Sequence, residues 1–238
     1  MANFHLPPTG FGPGSQPDEG EGFDWMPLPS GMRTYDMHLP DVDDTAPLGP
    51  ALALLANVAR ACADVAAGGA AQGFDLAGLD PANRALIAET LGQGEVSVRA
   101  RGIPAIAMQE SVFAGVWVLK AEGIDRIEVA PVPPLAIARA FRPTRAPRGR
   151  ETPLTPGVVN APPLLAELLD KSAAWRGAAD LHVVNLTLLP HTEEDLLWLD
   201  QAFGEGSVTV LSRGYGNCRV TATGQARIWR KSSPSAGS

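Results

Sequence analysis

The sequence predicts an α+β protein: two similar units, each helix–strand–helix followed by an antiparallel strand meander, preceded by an extended arm. Three observations predict it. Residues 92–117 and 204–229 align without a gap at an offset of 112. Gly92-Gln93-Gly94-Glu95-Val96-Ser97-Val98 stands over Gly204-Glu205-Gly206-Ser207-Val208-Thr209-Val210, Arg101-Gly102 over Arg213-Gly214, and Trp117 over Trp229. Self-similarity at a fixed spacing dictates architecture before any local reading. Within each copy, stretches of helical spacing give way to the apolar alternation of half-buried strands. Residues 1–50 are instead rich in proline and glycine without sustained periodicity, as an extended segment is.

The boundaries that follow are an extended acidic Pro/Gly-rich arm over residues 1–46, a first α+β repeat over 47–141, a Pro/Arg-rich linker over 142–158, and a second repeat over 159–238 that lacks its last strand. In the first repeat, Pro50 opens an Ala/Leu-rich helix over residues 51–67, ended by Gly68-Gly69. A short strand is expected over 74–79. Asp80 then caps a helix with Pro81 in its first turn, and Leu86, Ile87 and Leu91 form the buried stripe. Gly92 and Gly94 turn the chain into a strand over 95–101, a longer strand over 107–120 and another over 127–132. A short helix over 135–141 closes the unit.

The second repeat has the same order. A helix is expected over residues 164–175, a strand over 181–189, and a helix capped by Thr192 with acids in its first turn. Strands over 207–212 and 218–231 follow. Helices are expected on one face of the sheet, and Trp117 and Trp229 as core anchors, each in an apolar strand context. The first copy runs on through 127–132, whereas the second reaches Ser238 opposite Arg126. The expectation is therefore one strand fewer in the second unit and an exposed edge beside Trp229.

Composition narrows the function. The hydrophobic fraction is 45%, enough for a core, and no apolar run reads as a membrane span. The start lacks the basic and apolar regions of a secretory signal, and Cys62 and Cys218 stand far apart without a CxxC pair, which suits a reducing cytoplasm. The net charge of −7 resides in residues 1–50, which hold eight acids against Arg33 alone; the remainder is formally neutral. That distribution argues against a nucleic-acid partner and allows one with a basic segment.

Few residues suggest chemistry. Gly10-Phe11-Gly12-Pro13-Gly14-Ser15 lacks the strand, helix and Lys-Ser/Thr of a phosphate loop. His5, His38, His182 and His191 show no metal-ligand spacing, and no cofactor motif is present. The repeated glycines lie after helices and before strands, so they are turn residues. Glu110 has Ala222 as its counterpart, so no acid pairs with it. Cys218 follows Arg213-Gly214-Tyr215-Gly216-Asn217; a nearby cation activates a thiol, yet its counterpart Ile106 suggests a core-facing position.

Several motifs together carry a resemblance. Gly12-Pro13-Gly14-Ser15-Gln16-Pro17, Met26-Pro27-Leu28-Pro29 and Met32-Arg33-Thr34-Tyr35 form one set; Leu91 to Val98, Gln109 to Trp117, Gly214-Tyr215-Gly216, Ala222-Thr223-Gly224 and Trp229 form the rest. In this order they resemble the HupH/HyaF/HoxQ family of [NiFe]-hydrogenase maturation proteins over nearly the whole chain. The resemblance implies a further strand past the second tryptophan that this sequence lacks. It implies a non-enzymatic, cytoplasmic accessory chaperone for the iron–sulfur small subunit, acting before that subunit, with its twin-arginine signal peptide, joins the large subunit and is exported. Other maturation factors are further partners. It carries over no catalytic, cofactor or metal residue. From the charge map and turn positions, Asp18, Glu19, Glu21, Asp24, Glu110, Tyr215 and Cys218 are the partner-binding candidates. The alternative is redox or iron–sulfur handling through Cys218.

Overall fold

The computed structural model describes residues 40, 42, 45–177, 181–214 and 217–232. Most of the acidic arm, including Asp18, Glu19, Glu21 and Asp24, lies outside them, as does Tyr215. The fold is α+β. Among the described residues five α-helices, α1 (Gly49–Ala66), α2 (Pro81–Leu91), α3 (Pro134–Arg139), α4 (Ala161–Ala174) and α5 (Glu193–Phe203), accompany eight strands. The strands are β1 (Gln72–Asp75), β2 (Val96–Ala100), β3 (Ile106–Glu110), β4 (Val116–Ala121), β5 (Ile124–Val129), β6 (Val208–Ser212), β7 (Cys218–Ala222) and β8 (Trp229–Ser232). They form one antiparallel sheet in the order β1-β5-β4-β3-β2-β6-β7-β8.

Local chemistry explains the helix limits. The Asp80 carboxylate accepts N–H bonds from Ala82 and Asn83 at the start of α2, and Thr192 forms a capping box with Asp195 at the start of α5. Gly92 ends α2 at φ +54° and Gly204 ends α5 at φ +62°, a region costly for residues with a Cβ. Two residues on, the backbone passes so close to a neighbour that a side chain has no room. A Cβ on Gly94 would stand 2.2 Å from the Ser111 carbonyl oxygen, and one on Gly206 2.3 Å from that of Ala140. The turn reading of these glycines therefore has a steric cause at both places.

The two hairpins that follow share their hydrogen bonds. Gly94 N–H donates to Glu110 and Gly206 N–H to Ala222, each at 2.8 Å. Ser111 N–H donates to Val116, and Thr223 N–H to Ile228. The hydroxyls of Ser111 and Thr223 each accept the N–H two residues ahead, from Phe113 and Gln225. These turns correct two expectations. Residues 107–120 and 218–231 are each a pair of strands, because the Ser/Thr hydroxyl closes a tight turn where a single long strand was expected. In the middle of the sheet β2 and β6 pair antiparallel, with Val98 opposite Val210, the residue 112 positions ahead.

Helices cover both faces, contrary to the one-face expectation. Val116, Ile127 and Val129 pack with α1 and α2. The alternate residues Trp117 and Leu119 join Val98, Ile106, Met108 and Val208 under Ala136 and Ala140 from α3 and its C-terminal end. Side chains alternate between the faces of a strand, so α3 lies on the side opposite α1 and α2. A third cluster joins Ala161 and Leu165 of α4 with Trp198, Leu199, Ala202 and Phe203 of α5 and Ile228.

Three further corrections concern single segments. Residues 181–189 are not a strand; they run irregularly into a 3-10 turn at Leu186–Leu188. Strand β1 pairs only with β5, and no described strand pairs with the outer side of β8, so residues 181–189 have no corresponding ladder to join. Trp229 is 41% exposed, whereas Trp117 is 3% exposed; β4 is flanked by β5, whereas β8 is the outermost strand. Finally, Ala46–Ala66 has the length and mean hydropathy (1.3) of a membrane span. Its Ala51, Val58 and Ala61 are buried in the core, and alanine supplies much of the remaining hydropathy.

Candidate partner-binding surface

Asp18, Glu19, Glu21, Asp24 and Tyr215 lie outside the described residues. Glu110 and Cys218 do not meet: Glu110 ends β3 and Cys218 begins β7, with β2 and β6 between those strands. Glu110 serves its own turn, where Oε1 accepts the Gly115 N–H at 3.2 Å. Cys218 is a free, half-buried thiol. It lines an open concavity of about 560 Å³ with Ser212, Arg213, Asn217, Arg219 and Ser232.

The two histidines among the described residues have local roles. His182 pairs through Nε2 with Glu167 at 2.7 Å, and His191 Nδ1 donates to the Leu189 carbonyl at 2.8 Å. Among the described residues no group of three or more His, Cys, Asp or Glu is placed to hold a metal ion.

Exposed apolar side chains that the local sequence did not announce occur elsewhere in the second half. Leu181, Val183 and Leu188 are 80%, 73% and 78% exposed, and Leu197 on α5 is 65% exposed. Strand β8 is exposed along its length. Its Trp229 ring meets Phe141 edge-to-face, centroids 5.3 Å apart. Trp117, by contrast, donates its indole N–H to the carbonyl of Ala130, at 3.0 Å, just beyond β5.

Two buried polar side chains each join a pair of helices. Asp195 is wholly buried; its Oδ1 accepts the N–H groups of Val159, Asn160 and Ala161, and its Oδ2 that of Thr192. Burial by itself would raise this carboxyl, but the four N–H donors hold it well below the usual carboxylate range. Asn83, also wholly buried, accepts from Ala51 N–H and donates to the Pro47 carbonyl. Each stands three residues after a helix N-cap and holds the start of the preceding long helix. Sequence reasoning missed both. The signal was present for Asp195, since Thr192-Glu193-Glu194-Asp195 has the spacing of a capping box.

Comparison with known proteins fixes the class. The family model described as the C-terminal conserved region of the HupH hydrogenase expression protein matches residues 48–141 and 158–234. A hydrogenase expression/formation protein HupH from Rhodobacter capsulatus is 62% identical over 97% of this chain and 83% of its own length. A HoxQ protein of the same description from Cupriavidus necator is 38% identical, again over 97% of this chain and 83% of its own length. A solved hydrogenase expression protein HupH from Thiobacillus denitrificans is 34% identical, with a TM-score of 0.33, covering 37% of this chain and 79% of that one. The chain belongs to the HupH/HoxQ/HyaF family of hydrogenase expression/formation proteins.

Proposed function

We propose that the protein is a cytoplasmic accessory chaperone in [NiFe]-hydrogenase maturation, binding the iron–sulfur small subunit before assembly and export. Membership of the family supplies the pathway. The observation that carries a binding role is the exposed apolar stretch Leu181, Val183 and Leu188, with Leu197 of α5. Apolar groups left in water at this density mark interaction surfaces. We further propose that residues 47–141 and 159–238 are copies of one unit, joined through β2 and β6. The shared turn hydrogen bonds and the two stretches matched by the family model support that reading.

The acidic arm is assigned to basic elements of the client, its twin-arginine signal peptide among them. Co-purification of the small subunit at low and moderate salt tests both parts. The wild-type chain should retain the subunit. Replacing Asp18, Glu19, Glu21 and Asp24 by their amides should weaken capture and flatten its salt dependence. Capture that is unchanged in the neutralised variant overturns the arm's role, and absence of capture by the wild type overturns the client.

Redox or iron–sulfur handling is the second reading, favoured by the position of Cys218 between Arg213 and Arg219 in an open concavity. Anaerobic purification with metal analysis separates the two readings. Stoichiometric iron that disappears in Cys218→Ser would support the second and displace the first.

A further inference from the structure

The centre of the sheet is covered on one face and bare on the other. Val98 and Ala100 of β2, Ile106 and Met108 of β3 and Val208 of β6 are buried in the cluster that includes Ala136 of α3. The alternate residues turn to the opposite face. Register carries them across the strands in one row: Lys120 on β4, Ala107 on β3, Arg99 on β2, Thr209 on β6 and Thr221 on β7. A second row runs beside it through Val118, Gln109, Ser97, Leu211 and Arg219. Helices α1 and α2 reach this face at Val118. Beyond it Ala107 and Arg99 are exposed, although β3 and β2 each have a strand on both sides.

The bare face is basic. Lys120, Arg99 and Arg219 are exposed on it, and none has an ion pair or a side-chain hydrogen bond among the described residues. The second row leads into the open concavity of about 560 Å³, which Leu211, Arg219 and Arg213 line together. Arg213 N–H donates to the Glu95 carbonyl, so Glu95 is the acid that follows in the same alternation. The carboxylates at the two borders are engaged: Asp125 by Arg84, and Asp200 by Arg145 and Arg230. Neighbouring strands lie about 4.8 Å apart. Lys120, Arg99 and Arg219, each two strands from the next, therefore recur at about 10 Å, close to the screening length at physiological salt.

We propose that this face docks an acidic segment of a partner polypeptide, laid across the strands from β4 to β7. Charge complementarity selects the occupant, since unpaired cations on one exposed face attract carboxylates and repel basic segments. The floor between them is small or hydroxylated at Ala107, Ser97, Thr209 and Thr221, so a backbone can approach closely. Nucleic acid is the rival with the same charge. Neither row holds an aromatic side chain on which a base could stack, and outside residues 1–50 the chain is formally neutral, so a polypeptide is favoured. The inference goes beyond small-subunit capture by the acidic arm and does not depend on it, because the occupant has the opposite charge and the residues belong to the sheet.

The test uses the full chain and a labelled hexaglutamate peptide, followed by fluorescence anisotropy. Binding should be saturable and should weaken as salt rises from about 50 mM to about 300 mM. Single exposed ion pairs contribute little, so Arg99→Gln should weaken binding about two- to threefold. The triple variant Lys120→Gln, Arg99→Gln, Arg219→Gln should weaken it about tenfold or more. Lys231→Gln is the control. Lys231 stands opposite Val220, in the row of Val210 and Val98, so its side chain lies on the other face and its loss should leave binding unchanged. All these side chains are exposed, and circular dichroism checks that each variant keeps the fold. Absence of binding, or equal losses in Lys231→Gln and Arg99→Gln, overturns the face. Tighter binding of a single-stranded oligothymidylate of about twelve nucleotides overturns the polypeptide in favour of nucleic acid. Binding that appears only after Asp18, Glu19, Glu21 and Asp24 are replaced by their amides overturns an outside partner in favour of the chain's own arm. Small-subunit capture is measured separately, so failure of the chaperone reading and failure of this face are distinguishable.

Discussion

Asp195 sits wholly buried at the joint of α4 and α5. Its four N–H donors include three from the turn that starts α4, so it locks two helices by one carboxylate. Because its native pKa is depressed, the stability it contributes is complete above the unfolded value of about 3.9 and is lost as pH falls below it. Asp80, lowered chiefly by the Asn83 backbone N–H and then its side-chain amide, acts in the same direction. Asp195→Asn should lower the Tm by several degrees at pH 6 and make its decline toward pH 3 (both about these values) shallower than in the wild type. Thermal unfolding followed by circular dichroism at both pH values checks this; parallel declines would refute it. The two tryptophans make a second contrast. Trp117→Ala should cost about 3–5 kcal/mol, whereas Trp229→Ala should cost only about 0.5–1.5 kcal/mol, roughly the aromatic contact with Phe141.

At the scale of elements, the turns were legible and the strand limits were not. Asp80, Thr192 and the paired glycines act within a few residues of themselves, so the sequence reading found them. The hairpin turn at Ser111 was missed because apolar Val112, Phe113 and Ala114 continue through it, and at both Ser111 and Thr223 the closing bonds come from hydroxyls that also occur in strands. Gly206→Ala tests the steric reading. Its Cβ would meet the Ala140 oxygen at 2.3 Å and the Thr223 oxygen at 2.5 Å, so the substitution should destabilise by at least about 1–3 kcal/mol in urea unfolding. Gly123→Ala, with open space around it at φ +71°, should cost about 1–2 kcal/mol from backbone strain alone. Equal losses at the two sites would contradict the close approach.

For the molecule as a whole, the β2–β6 pairing makes one sheet out of both halves, and the described residues belong to one compact unit. Tryptophan fluorescence and far-ultraviolet circular dichroism should therefore report a single coincident urea transition. Two separated transitions would show that the halves unfold independently.

Of the candidate site, Cys218 and Arg213 were legible because they stand close in sequence, whereas Arg219 was not singled out. The apolar stretch at residues 181–189 was read as a strand, and its alternation is real, but alternation supplies only the side chains of a strand. Sequence by itself determined the helix caps, the turn glycines, the recurrence at an offset of 112 and the family, since these rest on local chemistry or on residue order. Only the tertiary structure decided that Trp229 itself is exposed, where a core anchor was expected, and that residues 184–187 join no ladder among the described strands. The physical reason is that strand backbone groups are satisfied by a neighbour, and a neighbour is a property of the sheet.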